Sequence, residues 1–231
     1  MEKVTLFPNK RLAMWGVRFL LFQQLVLPYL LEWLDYALDL NLDASKMNLL
    51  FYTVNFAVLV GIFWRFLQIN LQHALQNIGT VLMPAIIGFF ACRFISTVLD
   101  TGIYYLFPDF FNVNDANIST MAENQLPLWA FATIVLVPPV EELLFRGTLF
   151  GGIYNRSKVL AWIVSVLGFA LMHVLGYVGY YSWDMLLICT LQYLPAGVCL
   201  AAAYRKSGNI LTPIVMHAAL NGLAMLSMAV M

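Results

Sequence analysis

The sequence has few charged residues for its length. Asp, Glu, Lys and Arg make up 10% of its 231 residues, whereas soluble domains contain about 25%. Hydrophobic residues make up 62%, and the mean hydropathy is +0.81. This composition excludes an ordinary soluble domain and indicates an integral membrane protein. We expect a single membrane domain over residues 1–231.

Several other features are missing. The three cysteines all lie within apolar runs, which argues against a disulfide framework or a CxxC metal site. There is no glycine-rich phosphate loop and no basic patch, so no nucleic-acid partner is expected. The absence of internal repeats argues against a secondary transporter.

Seven segments have the roughly 20 mostly apolar residues that a bilayer-crossing helix needs. They lie near 12–32, 47–67, 80–105, 126–150, 159–181, 185–204 and 210–230. If the N-terminus is cytoplasmic, nine of the twelve basic residues are also cytoplasmic: Lys3, Lys10, Arg11, Arg18, Arg65, Arg156, Lys158, Arg205 and Lys206. The positive-inside rule therefore predicts an all-α polytopic bundle of about seven transmembrane helices, with the N-terminus inside and the C-terminus outside.

Two adjacent carboxylates stand out in the fourth segment. Each buried charge in a membrane costs roughly 2.5–3.5 kcal/mol, so Glu141 and Glu142 call for an explanation. Arg146 follows Glu142 by four residues and can form an ion pair with it on one helix face. Glu141 is rotated by about 100° from Glu142 and is left free to act as a general base.

Pro138 and Pro139 precede the carboxylates and are expected to bend the helix, since neither can donate a backbone hydrogen bond. Unpaired backbone at membrane depth is tolerated against protein or a water-filled cavity. The alternative for this segment is a structural salt bridge in a kinked helix.

Three further polar side chains lie in the later hydrophobic segments. His173 is in the fifth, while His217 and Asn221 are four residues apart in the seventh and point the same way. Taken singly, they could bond backbone carbonyls or clasp neighbouring helices. Counted from the cytoplasmic ends, Glu141, His173 and His217 all fall at cytoplasmic-to-middle depth. We therefore expect them to converge on one cavity and to be catalytic.

The set Glu141-Glu142-x-x-x-Arg146, Phe169-x-x-x-His173 and His217-x-x-x-Asn221 resembles the motifs of the CPBP family (CAAX proteases and bacteriocin-processing enzymes, also called the Abi family). The resemblance covers about residues 125–225, which would form the catalytic core. It implies a metal-free, glutamate-type intramembrane endopeptidase. Its substrate would be a membrane-associated or prenylated CaaX-type protein, or a bacteriocin or peptide precursor.

The resemblance also assigns roles to these residues. Glu141 and His173 would activate a water, and His217 and Asn221 would stabilise the tetrahedral oxyanion. Glu142, Arg146 and Phe169 would be structural. The implied location is a multi-pass protein of the bacterial cell membrane.

Two other readings remain open. Two histidines and a glutamate are acceptable zinc ligands, although the HExxH spacing is absent and no cofactor is expected. A non-enzymatic bacteriocin-immunity or scaffold protein would need the polar cluster only as structure.

Overall fold

The computed structural model describes residues 8–123 and 125–230. Within these residues the chain is helical, apart from its connections and an isolated bridge between Val178 and Tyr181. The all-α prediction is therefore confirmed for the described part of the chain. Lys3, one of the basic residues used to predict orientation, lies outside it.

The helices follow one another with short connections. They are α1 (Lys10–Leu25), α2 (Leu27–Ala37), α3 (Ala44–Gln76), α4 (Ile78–Leu106), α5 (Val113–Ala122), α6 (Leu126–Tyr154), α7 (Lys158–Met172), α8 (Trp183–Ser207) and α9 (Leu211–Val230). A short 3-10 turn, Leu175–Tyr177, lies between α7 and α8.

Five of these helices, α3, α4, α6, α8 and α9, are long and apolar enough to cross a membrane. The pair α1 and α2 is bent by 51° and gives a sixth candidate if it counts as one span. Several long apolar helices make this a multi-pass membrane protein.

The predicted span at 159–181 is not one helix. Its helical part, α7, has 15 residues, or about 22 Å at the α-helical rise, which is shorter than the roughly 30 Å hydrocarbon core. The chain then turns, and Gly179 adopts φ of 91°, a left-handed conformation that glycine tolerates. The count of seven spans is therefore not confirmed, because the apolar run continues through a turn.

Helix α6 is the central element of the bundle. More than half of its most apolar stretch (56%) is buried, against 17–39% in the other four long helices. It packs against α1, α3, α7 and α9. The contact with α1 is close, since a Cβ on Gly16 would overlap the side chain of Thr148.

Two π-helical stretches, Ala132–Leu136 and Leu143–Phe150, interrupt α6 on either side of Pro138 and Pro139. Val137 donates its N–H to the carbonyl of Ala132, five residues back instead of four. Pro138, the next residue, has no N–H to donate. The prolines therefore coincide with a change of hydrogen-bond register in α6, and the bend expected from them stays a prediction.

A buried polar clasp fixes the start of α9 to α3. The Asn70 side chain accepts a hydrogen bond from the Ile210 backbone N–H at 3.0 Å and donates to the Phe66 carbonyl at 2.8 Å. Asn209 donates its side-chain amide to the backbone carbonyl of Asn70 at 2.7 Å. Asn70 and Asn209 are only 2% and 1% exposed, so water cannot replace these bonds.

We predict that Asn70→Ala destabilises the protein by about 1–3 kcal/mol, the usual cost of leaving a buried polar group unpaired. Thermal unfolding in detergent measures the effect. Thr101→Ala is the control, because it removes a similar intrahelical bond at an exposed position of α4. Equal unfolding midpoints for the two variants would contradict the clasp.

Candidate active site

The predicted catalytic side chains line a single cavity of about 260 Å³. Glu141 comes from α6, His173 from the C-cap of α7, and His217 and Asn221 from α9. The convergence expected from their depth is therefore present in the fold.

The ion pair expected from the spacing is also present. Arg146 donates to Glu142 at 3.0 Å, and both side chains are 0% exposed. The second guanidinium nitrogen donates to the Gly197 carbonyl on α8 at 3.0 Å, and the guanidinium carbon lies 4.3 Å from the ring centroid of Phe169. One arginine thus joins α6, α7 and α8.

Glu142 has a second partner that helical spacing does not reveal. The Nδ1 atom of His217 lies 2.9 Å from the same Oε1 oxygen that accepts from Arg146. A carboxylate next to a guanidinium is an acceptor, so Nδ1 carries the hydrogen of this bond. The other ring nitrogen, Nε2, is then directed towards Glu141.

The imidazole of His173 also directs its Nε2 atom towards Glu141, but a different partner holds its Nδ1 atom. Its Nδ1 atom lies 2.8 Å from the backbone carbonyl of Phe169, which can only accept, so Nδ1 carries the hydrogen. The Phe169 ring, 1% exposed, contacts both imidazoles, with centroid distances of 4.7 Å to His173 and 5.7 Å to His217. This explains why an aromatic residue precedes His173 by one helical turn.

Glu141 differs from its neighbour Glu142 in exposure and in its surroundings. The Oε2 oxygen of each carboxylate has no hydrogen-bond partner in the protein, but the Glu142 side chain is fully buried with its Oε1 oxygen bonded to Arg146 and His217, whereas the Glu141 side chain is 20% exposed and lines the cavity. The Oε2 oxygen of Glu141 lies 3.8 Å from Nε2 of His173 and 3.9 Å from Nε2 of His217. Both distances exceed hydrogen-bond length, so the carboxylate remains available to a small molecule in the cavity.

Asn221 has a role in the fold as well as a place in the cavity. Its amide donates to the Thr133 carbonyl at 2.7 Å. That carbonyl is bypassed by Val137 and cannot be reached by an N–H from Pro138. The amide carries two donor hydrogens, and the second remains available to a group in the cavity.

The cavity includes residues that the motifs do not contain. Tyr193 on α8 stacks on His173, and its hydroxyl donates a hydrogen bond to Asp115 on α5. Tyr193 and Asp115 both line the cavity. They lie outside the three motifs and far from them in sequence. No local spacing connects them to His173, so sequence reasoning missed them.

In the part of the chain that the structure describes, no group of three or more His, Cys, Asp or Glu side chains is arranged to hold a metal ion. The expectation of metal-free chemistry stays a prediction.

Residues 123–223 match the family described as Type II CAAX prenyl endopeptidase Rce1-like. These residues form an Rce1-like domain. The match contains all three motifs, so the resemblance to CAAX proteases is confirmed for this segment. No solved structure matches the chain.

Two curated bacterial proteins are similar to parts of the chain. UPF0177 protein YxdF of Lactococcus lactis subsp. lactis (strain IL1403) is 33% identical over 99 residues, which is 42% of this chain and 49% of that protein. The protein named "Putative membrane peptidase YdiL" of Bacillus subtilis (strain 168) is 24% identical over 147 residues, covering 63% of this chain and 56% of that protein. The chain thus spans about half the length of these relatives.

We predict that Arg146→Ala destabilises the Rce1-like domain by about 3–5 kcal/mol, because it leaves the Glu142 carboxylate buried without its partner. Glu142→Gln should also reduce the amount of folded protein, whereas Glu141→Gln should leave it unchanged. The unfolding midpoint and the yield of monodisperse protein in detergent measure this. Arg93→Ala, at an exposed position of α4, is the control. A wild-type midpoint for Arg146→Ala would contradict the role of the pair.

Proposed function

We propose that this protein is an intramembrane endopeptidase in which Glu141 and His173 activate a water for attack on a peptide bond. One observation carries the proposal: the unpartnered Oε2 oxygen of Glu141 lies within 4 Å of both histidine Nε2 atoms, at 3.8 and 3.9 Å, in a single cavity. The neighbouring carboxylate, Glu142, is occupied by Arg146 and His217. The family match and the similarity to YdiL support a peptidase activity.

The proposed reaction begins with a water in contact with Glu141 and Nε2 of His173. The 3.8 Å between these groups allows one water to bond both. Glu141 takes a proton from the water while the water oxygen attacks the carbonyl carbon of the substrate. The tetrahedral intermediate then collapses, the C–N bond breaks, and Glu141 returns the proton to the leaving amine.

His217 and Asn221 would stabilise the negative oxygen of the intermediate. Because Nδ1 of His217 already donates to Glu142, its Nε2 can donate only when the imidazole is protonated at both nitrogens. The second hydrogen of the Asn221 amide would complete the oxyanion site.

The substrate we propose is a membrane-associated polypeptide: a prenylated CaaX-type protein, or a bacteriocin or other peptide precursor. The cavity suits an apolar segment because aliphatic and aromatic side chains make up most of its wall. The polar groups of the wall come from the cluster around Glu141, from the start of α5, and from glutamine and asparagine side chains of α1 and α3, and such groups can orient a ligand that binds mainly by apolar contact.

Glu141→Gln should abolish cleavage while leaving the fold intact, because it removes the proton acceptor and little volume. New peptide termini in the membrane proteome are compared between cells carrying wild-type protein and cells carrying this variant. Termini that vanish with the variant, and that persist in isolated membranes treated with EDTA, would establish metal-free proteolysis and name substrates.

Identical profiles for the two proteins would contradict the proposal. If a phenotype such as bacteriocin resistance persisted in both strains, the protein would act as a non-enzymatic immunity or scaffold protein. Glu123→Gln, an acidic residue at the end of α5, provides a control for carboxylate loss away from the cavity.

We also propose that the protein lies in the bacterial cell membrane with its N-terminus inside and its C-terminus outside, with α7 completing a seventh crossing. The bias of Lys and Arg supports this orientation. A reporter fused after Met231 should then be detected outside the cell. Detection inside would mean that α7 does not cross and that six crossings are correct. A second reporter after Ser157, between α6 and α7, should be inside under the proposed orientation.

A further inference from the structure

Tyr193 forms a close stacking contact with a proposed catalytic histidine. Its ring is stacked on the His173 imidazole, with centroids 4.0 Å apart and planes inclined by 20°. Tyr193 belongs to α8, whereas His173 is the C-cap residue of α7. The stack therefore links two helices at the reacting group itself.

The stack and the Phe169 hydrogen bond constrain the imidazole in different ways. The 2.8 Å bond to the Phe169 carbonyl fixes the position of Nδ1. It still permits the ring to tilt about that bond, which would swing Nε2 away from Glu141. A flat aromatic surface on one face of the ring prevents the tilt, and the Phe169 ring, inclined by 58°, occupies another side.

The hydroxyl of Tyr193 is in turn held by the first turn of α5. It donates to a carboxylate oxygen of Asp115 at 2.9 Å, lies 3.2 Å from the Oδ1 atom of Asn112, and accepts from the Asn114 amide at 3.1 Å. Asn112 also caps α5, since its Oδ1 atom accepts the backbone N–H groups of Asn114 and Asp115. The helix cap and the tyrosine contact are thus parts of one arrangement.

This arrangement extends to a third helix. The Asn112 amide donates to Gln192 at 2.9 Å, and the Gln192 amide donates to Asp100 on α4 at 2.9 Å. Gln192 and Tyr193 are neighbours on α8, so two consecutive residues dock the start of α5. The network holds α5 over the cavity, which Asn114 and Asp115 also line.

We infer that Tyr193 is a positioning residue for the proposed peptidase reaction, which holds the Nε2 atom of His173 towards Glu141 and is itself held by Asn112, Asn114 and Asp115 of the α5 cap. The inference rests on the proposed function, because positioning His173 has a catalytic consequence only if His173 orients the attacking water.

The first experiment compares Tyr193→Leu with Tyr193→Phe. The leucine variant removes the stack, whereas the phenylalanine variant keeps the ring and loses only the hydroxyl. In cells that carry Tyr193→Leu, the rate at which Glu141-dependent termini form should fall about tenfold or more, since small misplacements of reacting groups have large effects on rate. Phenylalanine should retain most of the wild-type rate. Tyr105→Leu, an exposed tyrosine at the end of α4, is the matched control.

A spectroscopic measurement separates positioning from a general loss of structure. The chain has only three histidines, so selectively labelled imidazole signals can be assigned by substitution in detergent micelles. In the wild type, the His173 ring protons should be shifted upfield by the ring current of Tyr193, with the proton on Nδ1. The shift should persist at a reduced size in Tyr193→Phe, which keeps the ring but loses the hydrogen bonds to α5, and disappear in Tyr193→Leu. The His217 signals should remain unchanged.

Asp115→Ala tests the connection to α5. It removes one of the three hydrogen bonds that Tyr193→Phe removes together, so the upfield shift of His173 and the cleavage rate should lie between those of the wild type and of the phenylalanine variant. Asp109→Ala, in the connection between α4 and α5, is the control. Unchanged His173 signals in Asp115→Ala would remove α5 from the inference.

The results also distinguish the inference from the proposed function. Wild-type cleavage together with an undiminished rate in Tyr193→Leu would overturn the positioning role alone. A loss of rate accompanied by altered His217 signals and a lowered unfolding midpoint would also overturn it, because Tyr193 would then be a packing residue. Absence of Glu141-dependent termini in the wild type would overturn the proposed function, and the positioning role with it.

Discussion

The buried carboxylate of Glu142 is the group on which the rest of the site depends. A carboxylate removed from water needs both an opposite charge and hydrogen-bond donors. Arg146 supplies the charge from the same helix, and His217 supplies a further donor from α9. By accepting from Nδ1 of His217, Glu142 also determines which imidazole nitrogen faces the cavity. A group with no direct access to the cavity thereby sets the chemistry of one that has it.

Pro138 and Pro139 of α6 contribute to the same site through the backbone. The register change before Pro138 leaves the Thr133 carbonyl without a partner from α6, and Asn221 supplies one. The helix that carries Glu141 therefore binds α9 through main chain as well as side chain. His217 and Asn221, one turn apart on α9, are placed by different groups of α6. This gives a physical reason for the appearance of prolines and carboxylates in one short stretch.

Sequence reasoning was most successful where the interaction is local. Four-residue spacing predicted the pairing of Glu142 with Arg146 and the separation of Glu141 from that pair, and composition predicted the all-helical membrane fold. It failed for the bounds of the predicted span at 159–181. The apolar composition there continues through a turn, so residues after Met172 were included in the span. The Nδ1 contact of His217, the Asn221 bond to Thr133 and the Tyr193 stack all join distant segments. A single sequence contains no spacing that reports such contacts.

The two anchors of α9 determine which parts of the bundle are free to move. Its start is tied to α3 by Asn70, and its middle is tied to α6 by Asn221, both through backbone carbonyls or N–H groups. Displacing the start of α9 would break the Asn70 bonds, which are buried away from water. By contrast, α5 is held over the cavity by side chains, several of them exposed, which water can replace at little cost. The reacting groups therefore lie on helices that are joined through main-chain hydrogen bonds, whereas the helix beside the cavity is joined to them in part by exposed side chains.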